Sequence, residues 1–141
     1  MAKTFAPPYP QSPKLDGAVL AAANTARDGS GSITTICTVG SDDGVVKRIR
    51  FVPAQLTAAA FAAKVACLFY STDGGTTWNF LDDRGMATVT PSTTVATGVG
   101  QAVFSFPDLL GLQASYKLGA TITVYGSAAD RTQVIVERAD Y

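Results

Sequence analysis

From residue 17 onward, hydrophobic and polar positions alternate along most of the chain with a period of two, which sends successive side chains to opposite faces of a strand. In "VVKRIRF" (45–51), Val45, Ile49 and Phe51 share one phase with only Lys47 out of place, while Val46 leads into Arg48 and Arg50 on the other. In "ATITVYG" (120–126), Ile122 and Val124 oppose Thr121, Thr123 and Tyr125, and "TQVIVERA" (132–139) keeps its charges near its end. One dry face and one wet face is an antiparallel pattern. Glycine- and Asp-rich turns at "RDGSGS" (27–32), "GSDDG" (40–44), "STDGG" (71–75), "DDRG" (82–85) and "YGSAAD" (125–130) punctuate it. The spacing predicts strands near 17–24, 32–39, 45–52, 64–71, 76–82, 86–90, 101–106, 120–126 and 132–139, eight or nine in all. Short strands at this spacing imply an all-β antiparallel β-sandwich, jelly-roll-like.

Two segments break the alternation. "PAQLTAAAFAAK" (53–64) is rich in helix formers and opens on Pro53, so it reads either as a helix or as an irregular connection between sheets. "PDLLGL" (107–112) reads as one turn of helix stopped by Gly111. Residues 1–16 differ from the rest, with prolines at 7, 8, 10 and 13 and almost no periodicity. They predict an extended arm ahead of a sandwich domain over 17–141. Termini often fray, but a stiff apolar arm loses little entropy on docking, so Phe5, Pro7, Pro8, Tyr9 and Pro10 are candidates for contact with a neighbouring subunit.

Composition narrows the classes. Lys and Arg number 11 against 11 Asp and Glu, and no basic run exceeds "VKRIR", so nucleic-acid binding by phosphate neutralisation is not indicated. The apolar run "TAAAFAAKVACLFY" (57–70) carries Lys64 and falls short of the roughly 20 residues that a helical membrane span requires. The proline-interrupted N-terminus does not resemble a secretion signal, so a cytoplasmic origin is expected. In that setting Cys37 and Cys67 read as buried free thiols.

The chain has no histidine, which excludes Ser-His-Asp and Cys-His constellations. Asp42 with Asp43 and Asp82 with Asp83 could in principle serve as acid and base, but both pairs sit in turns, where Asp is favoured for local backbone bonding. Calcium held by Asp73, Asp82 or Asp83 would need several more oxygen ligands, and solvated turns are expected instead. No catalytic residue, metal or cofactor is assigned from the sequence.

"STDGGTTW" (71–78) fits the Asp-box pattern Ser-x-Asp-x-Gly-x-Thr-Trp and resembles the hairpin turns of sialidase-type β-propellers. It occurs once, and 141 residues cannot supply the blades of a propeller. Asp73, Gly74, Gly75 and Trp78 therefore read as a structural hairpin with the Trp packed in the core.

Taken in order, "ANTARDGSGS", "VVKRIRF", "LFYSTDGGTTWNFL", "VTPSTTV" and "VERADY" resemble small virion proteins of tailed bacteriophages, of the capsid-decoration or head-associated type, over roughly residues 20–141. The Ala-rich insert at 54–63 and the segment 105–120 depart from that pattern. The resemblance implies a non-enzymatic β-sandwich, made in the host bacterial cytoplasm, that docks on the major capsid protein at the capsid surface. It further implies a homotrimer that stiffens the shell or carries a fibre. A tail or baseplate component and a carbohydrate-binding module built on Trp78 and Tyr70 are the alternatives.

Overall fold

The structure is a computed structural model that describes residues 12–54, 61–90, 94, 100–126 and 130–141. Eight strands carry most of these residues: β1 (Ser12–Leu20), β2 (Thr34–Thr38), β3 (Gly44–Pro53), β4 (Lys64–Ser71), β5 (Asn79–Met86), β6 (Ala102–Leu112), β7 (Lys117–Ile122) and β8 (Thr132–Asp140). They build two antiparallel four-stranded sheets, ordered β1-β8-β3-β6 and β2-β7-β4-β5. Every connection except the β4–β5 hairpin crosses from one sheet to the other. This is the strand order of an eight-stranded jelly roll, so the fold class read from the alternation holds.

The alternating apolar positions meet between the sheets. Val46, Ile49, Phe51, Phe104, Val134 and Val136 come from the first sheet, and Ile36, Leu68, Leu118, Ala120 and Ile122 from the second. Phe51 and Phe104 pack with ring centroids 5.5 Å apart. Phe61 and Val89, joined by a two-residue bridge, cover one end of this core. There too Lys64 and Asp130 form a buried ion pair at 2.7 Å, with the ammonium 4.0 Å from the Phe61 ring centroid.

Three elements differ from the sequence reading. Strand β1 begins at Ser12, so residues 12–16, expected in the arm, pair instead with the end of β8. Pro13 is tolerated because β1 is an edge strand, where a missing N–H breaks no ladder. Residues 107–112 form no helix. They belong to β6, whose pairing with β3 outweighs the local leucine preference for helix. Only Val89 of the strand expected at 86–90 pairs separately, and β5 extends to Met86. Positions 55–60 of the helix-or-loop candidate, and all five arm residues Phe5 to Pro10, lie outside the described residues.

Candidate functional site

The Asp box forms the turn between β4 and β5. Ser71 Oγ donates to Asp73 Oδ1 at 2.7 Å, and the N–H groups of Thr76 and Thr77 donate to the same oxygen at 3.1 and 2.9 Å. Gly75 N–H donates to Ser71 Oγ at 2.8 Å. The backbone N–H of Thr77, then the Ser71 hydroxyl, hold the Asp73 carboxyl well below the usual carboxylate range, because these donors favour its ionised form. Gly74 and Gly75 take φ of 76° and 96°, the left-handed region that glycine enters without strain.

Trp78 lies outside the main core, half-buried on the outer face of the second sheet. Its indole covers Gly119 of β7 so closely that a Cβ there would stand 2.7 Å from Cζ3 and 2.9 Å from Cη2. From the other side Gly29, at φ 84°, approaches the Trp78 carbonyl, where a Cβ would stand 2.1 Å from the oxygen. Next to this lies Phe69, fully buried although its strand neighbours Ala66 and Leu68 face the main core. Phe80 meets it edge-on at 5.7 Å between centroids. Arg27 reaches Asp83 at 2.7 Å, so the β1–β2 connection is tied over the same face. The indole thus closes a small apolar layer of its own.

The paired carboxylates do not act as pairs. Asp43 accepts the N–H of Ala114 at 3.0 Å, Asp83 binds Arg27, and Asp82 sits 3.7 Å from Arg84. Among the described residues no three His, Cys, Asp or Glu side chains converge on a common point that could hold a metal ion. Both cysteines are free and buried, and burial pushes the Cys37 thiol up to about 12, so no thiolate forms there near neutral pH.

The most distinctive surface is the outer face of the first sheet. Between Val46, opposite Leu110, and Arg48, opposite Ser105, four residues of β6, Phe106 to Leu109, stand against Lys47 alone. The same Lys47 is the extra residue of β3 against β8. Bulges of this kind re-aim side chains at the rim of a sheet. Here the bulge lifts Leu109, held at φ 60°, into one wall of an open groove of about 510 Å³. Pro13 and Leu15 of β1 form the opposite wall, with Val45 and Ala139 between them. Leu15 is 70% exposed, Val19 45% and Leu109 43%. Beside the groove, Arg48 grips Glu137 through Nε at 3.1 Å and Nη2 at 2.7 Å. On the inner side of the same strands, near Cys37, Arg138 binds both Asp16 and Asp140, and Lys14 also binds Asp140. Sequence reasoning missed this groove. Its one local signal was Lys47, the residue that breaks the alternation of β3.

No known protein family matches the sequence, and no curated protein does. Among solved structures, the fold is similar to a chain of the acidic stable capsid structure of Helicobacter pylori bacteriophage KHP30, with a TM-score of 0.52 and 11% identity. The match covers 93% of this chain and 90% of that chain. The two chains are therefore close in length and similar in fold over most of each.

Proposed function

We propose that this chain is a structural protein of a bacteriophage virion, a decoration or cement subunit that binds the major capsid protein at the capsid surface and stabilises the shell by protein–protein contacts. The observation that carries the reading is the likeness in fold over most of the chain, at similar length, to a chain of a phage capsid structure. It agrees with the resemblance of the ordered motifs from "ANTARDGSGS" to "VERADY". The carboxylates sit in turns and ion pairs, which fits a non-enzymatic role. In this reading the protein is made in the host cytoplasm, associates with copies of itself as a homotrimer, and uses Phe5, Pro7, Pro8, Tyr9 and Pro10 of its arm in that association. A symmetric oligomer also covers sheet edges that a lone sandwich leaves open.

A glycan-binding reading would need Trp78 as an open platform, whereas its indole is engaged against Gly119. The test is light scattering of the purified protein, alone and after mixing with shells assembled without it. A stable trimer that co-sediments with the shells is expected. A monomer that stays in the supernatant would overturn the proposal and turn attention to tail assembly.

A further inference from the structure

We infer that the groove on the outer face of the first sheet is the seat for the N-terminal arm of a second copy of this chain. The inference rests on the self-association in the proposed function and supplies the acceptor surface that it lacks. The groove is apolar on both walls, with Leu15 and Leu109 facing it from opposite edges of the sheet. It is walled by the same strand on which the arm ends, because residue 12 opens β1 and Pro13 already lines the groove. The preceding eleven residues, "MAKTFAPPYPQ", hold Phe5, Tyr9 and three prolines and no acid. Such a segment buries apolar area with little backbone entropy to lose.

Direction decides between the chain's own groove and a neighbour's. β1 runs inward from Ser12, so the arm approaches from beyond the end of the sheet, where Asp140 stands opposite. To lie in its own groove it would have to reverse within "PYPQ" (8–11), which contains no glycine. Proline fixes its own φ at about −65° and biases the residue before it toward extended backbone, so the prolines at 8 and 10 disfavour such a reversal. Extended, eleven residues reach roughly 34 Å at about 3.1 Å each, against a radius of gyration of about 14 Å for a domain of this length. A segment of this length, if extended, is long enough to reach an adjacent copy. Leu109 is kept in a backbone region that a leucine avoids, a strain that persists only where surrounding structure imposes it. Its result is an apolar wall on a face that would otherwise be flat.

The experiment pairs two single variants, Tyr9→Cys in one preparation and Leu109→Cys in another, mixed in the full-length chain under mild oxidation. The expected product is a mixed disulfide dimer, formed several-fold faster than with Thr77→Cys, an exposed position in the β4–β5 turn of the opposite sheet. Adding Leu15→Lys to the groove variant is expected to suppress the cross-link while leaving thermal unfolding unchanged, since Leu15 is 70% exposed. Light scattering is expected to show the oligomer of the full chain falling to monomer when residues 2–11 are removed. A disulfide that forms within the monomer of a chain carrying both Tyr9→Cys and Leu109→Cys, or a cross-link no faster than the Thr77 control, overturns the inference. If that happens while the protein still co-sediments with shells, the groove assignment fails and the decoration reading survives.

Discussion

Replacing Gly119 with alanine tests whether the Asp-box hairpin is anchored through its tryptophan to β7. The added Cβ would lie 2.5 Å from Ile33 Cγ2, 2.7 Å from Trp78 Cζ3 and 2.9 Å from Cη2. All three obstacles are side-chain atoms on the outside of the sandwich and can give way in part, so the cost falls in the lower part of the overpacking range, about 1–2 kcal/mol. For a chain of this length that lowers the melting temperature by roughly 3–6 °C. Removing the indole with Trp78→Ala is expected to cost about 2 kcal/mol, because the ring is only half-buried, rather than the roughly 3–5 kcal/mol of a fully buried tryptophan. The two changes should couple. In the Trp78→Ala background two of the three nearest obstacles to the new methyl are gone, so Gly119→Ala should cost about 1 kcal/mol less than in the natural sequence. Urea unfolding followed by circular dichroism suits all four proteins, since Trp78 is the single tryptophan and its loss removes the fluorescence signal. A neutral Gly119→Ala, or strict additivity in the double variant, would refute the packing argument.

Two further outcomes follow from buried and hydrogen-bonded charge. Asp130→Ala leaves Lys64 charged and unpaired inside the domain and is expected to cost about 3–5 kcal/mol, while Lys64→Met with Asp130→Leu should recover most of that loss in the same denaturation assay. Asp73 has its folded-state value depressed below the ordinary 3.8, so in the interval between the two values the unfolded chain binds a proton that the folded chain refuses. Its stabilisation is therefore complete above the ordinary carboxylate range and is lost as pH falls through the folded value. Melting temperatures measured from pH 7 to pH 2 should drop less steeply below about pH 4 in Asp73→Ala than in the natural sequence. Parallel acid limbs would show that the carboxylate does not organise the turn.

The fold was legible wherever local alternation and tertiary demand agreed. The strand over residues 64–71 was read at the bounds of β4, because its apolar run and the turn that follows are both local signals. Legibility failed where pairing overrode sequence. The leucines of "PDLLGL" favour helix by themselves and enter β6 only because β3 supplies the ladder. Lys47 looked like an isolated polar intrusion on an apolar phase, yet it is the bulged residue, and the bulge puts Val46 on the same face as Ile49 and Phe51. The candidate site was legible only in part. The Asp-box turn carries its own pattern of Ser, Asp and Gly, but the partners of Trp78 are Gly29 and Gly119, 49 and 41 positions away by subtraction of residue numbers, and no local periodicity links them. The groove is more remote still, since its walls come from strands at opposite edges of a sheet.

The proposal that this jelly roll coats a shell is tested by its copy number in purified virions, measured by quantitative mass spectrometry against the major shell protein. A coat subunit is expected in fixed stoichiometry with the shell protein, set by the lattice. A handful of copies per particle, or none, would contradict it.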